Sequence, residues 1–235
     1  SSAASDVYKR QILIVLNEIN KDEALRYMGH RGEIPQTLKE LVLKCEKQLL
    51  EVIRPAYIFK CFDIETSEEG VRVLNTSLTF KGNDIKNHLE GCSKAVLMCA
   101  TIGADADKLI RLTEISDISA AFVMDSLASA AIEQVCLETD KIIKETFPSD
   151  FFTWRFSPGY GDFPIEIQGE FLDVMNAQKR IGLNVGSGNI LIPRKSVTAV
   201  AGLSQTPVPK KRRGCVCCNM AEVCQYRKRG DHCGF

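Results

Sequence analysis

The chain has 235 residues, 45% of them hydrophobic and 26% charged, enough for one sizeable core and a small appendage. Neither a run of about 18 apolar residues nor a secretory-leader pattern is visible, so no membrane span is expected; ten cysteines in such a chain point to the cytoplasm and to metal or redox chemistry over disulfides. The formal net charge of zero divides into a body at −5 and a tail from Lys210 onward at +5. That tail reads first as a solvated segment, and its cysteines argue against a nucleic-acid partner.

Residues 1–11 lack an initiator methionine and resemble translated sequencing adapter, so they read as a non-native leader to a body at 12–206. Asn20 with Glu23 three residues on predicts an N-capped short helix that Gly29 stops. Thr37 and Glu40 read as a capping box after Pro35. Leu38, Leu41, Val42, Cys45, Leu49 and Val52 keep helical spacing behind it, predicting an amphipathic helix over Thr37–Ile53 with Cys45 in the core. Ala56–Ile64 and Val71–Leu74 read as strands around a turn at Thr66–Gly70, with Leu78–Phe80 extending the second strand into a bulge.

A short polar helix at Asp84–Glu90 precedes Lys94–Gly103, an apolar run long enough for a central strand buried on both faces. Cys92 and Cys99 around it read as structural. Helices follow at Asp105–Leu112 and Ser119–Phe147, the second with small residues at Ala128–Ala131 that let a neighbour approach closely. Its Asp125 and Glu133 face either solvent or a site. Further on come a helix-like stretch at Gln168–Ile181, a turn at Gly186–Asn189, and strands at Ile190–Ile192 and Val197–Gly202. The body is therefore α+β, with a mixed, antiparallel-leaning sheet packed against long helices.

Between Pro148 and that stretch lies Trp154–Pro164, W-R-F-S-P-G-Y-G-D-F-P. Two prolines and two glycines in eleven residues exclude a helix or a central strand, so this is a shaped loop. Aromatic rings, a forked guanidinium and closely approachable glycine backbone can grip a small flat ligand; the same aromatics can equally plug a core.

The pattern R-x-x-x-G-Y, here Arg155…Gly159-Tyr160 with Pro164 four residues on, resembles the S-adenosylmethionine-binding signature of the activation domain of cobalamin-dependent methionine synthase. Gly182–Val185 and Pro193–Val197 are similar to that family's segment leading into its second ligand-proximal strand. The resemblance covers Asp125–Leu203 well and the earlier part loosely. It implies an S-adenosylmethionine-binding reactivation component of methyltransferase class. Such a component would act in trans on a corrinoid protein, the methionine synthase catalytic modules, and support reductive methylation of cob(II)alamin to methylcobalamin. It also implies that Arg155 pairs with the methionyl carboxylate, that Tyr160 positions the ligand near the corrin, and that Pro158, Gly159 and Asp162 shape the wall. The work would be proximity and orientation, with no catalytic acid or base. An electron donor such as flavodoxin or ferredoxin belongs to that chemistry. An acid near the start of the family's domain has no counterpart here. Two other readings stay open: a reductive activator of another corrinoid methyltransferase, and a non-catalytic metal-binding adaptor.

Pro207–Pro209 reads as a linker to a basic, Cys-rich tail at 207–235. Cys215, Cys217, Cys218, Cys224 and Cys233 fall within 19 residues, with His232 beside the last. Thiolates so close in sequence can converge on one metal centre, a structural zinc or an iron–sulfur (Fe-S) cluster. The spacing matches neither the ferredoxin run nor a plain zinc ribbon, so the metal and the ligating four of five stay open. A redox centre there would deliver the electron that reactivation requires.

Overall fold

The structure, a computed structural model, describes residues 14–208 together with Glu222 and Lys228. The expected leader at 1–11 and the five tail cysteines (Cys215, Cys217, Cys218, Cys224 and Cys233) lie outside the described residues. Helices α1 (Lys21–Tyr27) and α2 (Gln36–Val52) lead into strands β1 (Ala56–Thr66), β2 (Val71–Val73) and β3 (Thr79–Phe80). Then come α3 (Asn83–His88), β4 (Lys94–Thr101), α4 (Ala104–Ser116) and α5 (Ile118–Thr146). The last part holds β5 (Phe151–Phe152), α6 (Gln168–Met175), α7 (Ala177–Ile181), β6 (Asn184–Val185), β7 (Leu191–Ile192) and β8 (Ser196–Ser204).

Six strands form one sheet in the order β3-β2-β1-β4-β8-β5, every pair antiparallel, and β6 and β7 make a separate hairpin. The predicted central strand is β4, paired with β1 from Ala56↔Thr101 to Asp63↔Lys94 and with β8 from Lys94↔Leu203 to Thr101↔Ser196. Alternation sends successive side chains to opposite faces and so builds two cores. Tyr57, Phe59, Val96, Met98, Ala100, Ala199 and Leu203 join α1, α2, α4 and α5 on one face. Ile58, Ala95, Leu97, Cys99 and Val200 join α3, α6, α7 and the residues around Phe163 on the other. Cys45 and Cys99 are fully buried, as their positions in the sequence require.

Four local expectations change in detail. Helix α2 starts at Gln36 behind Pro35, whose carbonyl accepts from the Leu38 and Lys39 N–H groups; no side chain caps it. Leu78–Phe80 does not extend β2, because Asn75 turns the chain at φ 61° and Thr79–Phe80 pairs back as β3. The 168–181 stretch breaks at Asn176, left-handed at φ 53°, into α6 and α7. Ile190–Ile192 supplies β7, which pairs with β6 and not with the main sheet. Asn20, in contrast, caps α1 as predicted, accepting from the Glu23 N–H at 3.0 Å.

Helix α5 is long and apolar enough to cross a membrane by length and composition, yet 67% of its apolar stretch is buried inside the fold. Asp117 starts it by accepting from the Ala120 N–H at 2.9 Å. It is the helix against which the sheet and α1, α2 and α4 pack.

Candidate functional site: a charged groove along α5

The loop at Trp154–Pro164 begins as an extension of the sheet. Phe156 and Val200 exchange two backbone hydrogen bonds at 2.8 Å, which fixes the register of the loop against β8. Phe156 then shares a face with Val200, and Arg155 must point to the opposite one. Trp154 and Phe156 accordingly pack on His88 of α3, with ring centroids 4.6 and 5.0 Å away. Phe163, 1% exposed, stacks on Phe156 and meets the Phe80 ring edge to face. These aromatics fill the core beneath the sheet.

The loop's remaining predicted residues sit on that same side. Pro158 is buried, Gly159 is exposed at φ 92°, and Tyr160 is 60% exposed with its ring 6.3 Å from Phe156. Asp162 spends its carboxylate on the N-terminus of α3, accepting from the Asn83 and Asp84 N–H groups at 2.7 and 2.8 Å. The Asp84 carboxylate returns the bond, accepting from the Asp162 N–H at 3.1 Å. Gly161 makes that exchange possible: it holds φ 55°, and a Cβ there would run into the Asp84 carboxylate.

Arg155 crosses to the helical face. Its Nε donates to Asp140 Oδ2 at 3.0 Å and its Nη2 to Glu133 Oε2 at 3.2 Å, leaving the side chain 19% exposed. Burial holds the Asp140 carboxyl above its usual value despite the opposing charge of Arg155. Burial beside this cluster also pushes the Cys136 thiol up to about 12.

Glu133 is the hinge between the loop and a groove of about 430 Å³ on α5. Tyr27 and Phe122 supply aromatic walls, Asp125, Ser129 and Glu133 the floor, and Arg194, Lys195 and Ser196 the opposite side. Asp125, Ser129 and Glu133 recur every four residues and so lie along one helix face. Lys195 Nζ lies 2.9 Å from Asp125 Oδ1 and donates to Ser129 Oγ at 2.8 Å. The segment carrying Lys195 is tied to α4 through Arg194, whose backbone N–H donates to Asp107 Oδ2 at 2.7 Å. Burial and the Glu23 carboxylate, with Glu133 beyond it, push the Tyr27 phenol well above its ordinary value.

The structure thus brings Arg155 to the groove through Glu133, ties Asp162 to the start of α3, and leaves Pro158 buried, Gly159 exposed beside Ile165 and Tyr160 exposed beside Phe156. Asp125 and Glu133, which the sequence placed on a face of unknown use, both line the groove. Tyr27, Phe122 and Ser129 carry no motif that would single them out. Among the described residues no group of three or more His, Cys, Asp or Glu is arranged to hold a metal ion.

The chain is similar in structure to a solved protein, a crystal structure of the MetH reactivation domain bound to AdoHcy. The TM-score is 0.62 at 11% sequence identity, over 88% of this chain and 81% of that one. No protein-family model and no curated protein matches the sequence. At that identity the likeness establishes the fold: a reactivation-domain architecture of helices on an antiparallel sheet.

Proposed function

We propose that the chain is an S-adenosylmethionine-binding reactivation component acting in trans on cobalamin-dependent methionine synthase, supporting reductive methylation of cob(II)alamin on that corrinoid partner. The observation that carries this reading is the joining of that fold to a mixed-charge groove with aromatic walls. Its volume of about 430 Å³ suits a ligand of nucleoside size. Tyr27, beside Glu133, offers a face for a purine, and Glu133 and Asp125 offer acceptors for ribose hydroxyls and for cationic groups. When bound, S-adenosylmethionine supplies an activated methyl group on a sulfonium. The chain's part is to bind and orient that ligand toward a partner. No residue needs to act as an acid or base.

In this reading Arg155 acts at the end of the groove, fixing Glu133 from behind and setting the local field. Tyr160, 60% exposed on the same loop, would be covered by a partner that docks over the loop. Pro158, Gly159 and Asp162 hold the loop's shape. The basic tail takes the part of electron delivery: four of Cys215, Cys217, Cys218, Cys224 and Cys233 would hold an Fe-S cluster. Metal analysis after anaerobic purification checks this part, since zinc without iron removes it.

The central test is a calorimetric titration of S-adenosylmethionine into the full chain and into Glu133→Gln. Binding by the wild type that weakens about 10-fold or more in the variant is expected for loss of a charge-assisted acceptor. Absence of binding by the wild type, both alone and with a cob(II)alamin-loaded methionine synthase present, would overturn the reading.

A further inference from the structure

The cation that the resemblance assigns to the ligand's carboxylate is already engaged. Arg155 faces two carboxylates, Asp140 and Glu133, at 3.0 and 3.2 Å. That cluster carries a net charge of −1, and a third carboxylate entering it would meet repulsion. Arg155 also stands behind Glu133 and does not itself line the groove.

The other end of the groove has the opposite balance. Arg194 and Lys195 line it together with a single acid, Asp125. Lys195 is 15% exposed and held by two partners on α5, Asp125 Oδ1 at 2.9 Å and Ser129 Oγ at 2.8 Å, so its ammonium is fixed in place before any ligand arrives. Asp125 remains about half exposed. A fixed ammonium beside an accessible carboxylate is the complement of a zwitterionic α-amino acid: a carboxylate for the lysine, an ammonium for the aspartate. The Ser129 hydroxyl can serve either.

We propose that the Lys195–Asp125 pair, with Ser129, receives the α-amino-acid head of the ligand, and that Arg155 is a positioning residue acting through Glu133. This rests on the reading of the groove as the S-adenosylmethionine site. It reverses the direction in which the ligand lies: the amino-acid head sits at the β8 entry, and the far end of the groove is left for the nucleoside.

The test compares S-adenosylmethionine with decarboxylated S-adenosylmethionine, which keeps the sulfonium, the amine and the nucleoside and lacks only the carboxylate. Both are titrated into the full chain, Lys195→Met and Arg155→Met, with Lys195→Gln as a second variant should the first melt early. The wild type is expected to prefer the carboxylated ligand by about 10- to 150-fold, the range for one charge-assisted bond. Lys195→Met should erase that preference, and Arg155→Met should weaken both ligands alike while keeping it. Erasure in Arg155→Met with retention in Lys195→Met overturns the proposal. Equal binding of the two ligands by the wild type overturns it too, while leaving the S-adenosylmethionine site standing. If neither ligand binds, the functional reading itself has failed.

Discussion

The two faces of the sheet use the same loop for different ends. On the α3 side, Trp154, Phe156 and Phe163 close a core of rings around His88 and Phe80, and Asp162 closes the end of α3. On the α5 side, Arg155 enters a line of carboxylates that leads to an open groove. One residue of register separates the two outcomes, because neighbours on an extended chain point to opposite faces. The lesson is that a single motif can divide its residues between holding a fold and serving a site.

That division can be broken from its largest effect downward. Phe163→Ala empties a fully buried position on the α3 side and is expected to lower stability by about 3–5 kcal/mol in urea unfolding. If the faces are separate, the ligand affinity of the protein that stays folded should hardly move. A large loss of affinity would show that the aromatic core sets the groove after all.

Arg155→Met probes the other face and should cost about 1–3 kcal/mol, less than a fully buried pair because Glu133 and Asp140 are partly exposed. Its pH dependence carries a sign. The Asp140 carboxyl lies above its ordinary value of 3.8, so its protonated form favours the fold, and that contribution is lost as pH climbs through the folded value. Without the arginine the carboxyl rises further, so the variant should be hurt more at about pH 8 than at about pH 5. Urea midpoints for both proteins at the two pH values decide it; an equal loss at each would refute the buried-carboxylate account.

The smallest effect belongs to Asp162→Ala. It removes the acceptor for two N–H groups at the start of α3 and should cost about 0.5–2 kcal/mol, the range for a lost helix cap. Hydrogen exchange should quicken at the Asn83 and Asp84 amides and leave those of α5 unchanged. Protection lost in α5 would mean that the loop couples the two faces.

The elements themselves were legible wherever local chemistry decides. Alternating and continuous apolar runs marked β1 and β4, small residues and helical spacing marked α5, and Asn20 announced its cap. The loop announced itself by its prolines and glycines. Less legible were features whose partner lies far away in the chain. Nothing near Asp162 indicates that its oxygens meet α3, 78 and 79 residues away. Nothing near Arg155 separates a guanidinium open to a ligand from one held by Asp140 and Glu133.

By itself, then, the sequence determined the α+β class, the antiparallel-leaning sheet and the position of the shaped loop, because period, turn residues and capping act over a few residues. Only the tertiary structure decided which face each loop residue serves and which charges share a groove. Those outcomes depend on the β8 register and on where α5 lies across the sheet. Hydrogen bonds between Lys195 and Ser129, 66 residues apart, or between Arg155 and Glu133, 22 apart, are written in no local pattern. They exist because burial of two apolar faces brings the segments together, and only then do the charges find one another.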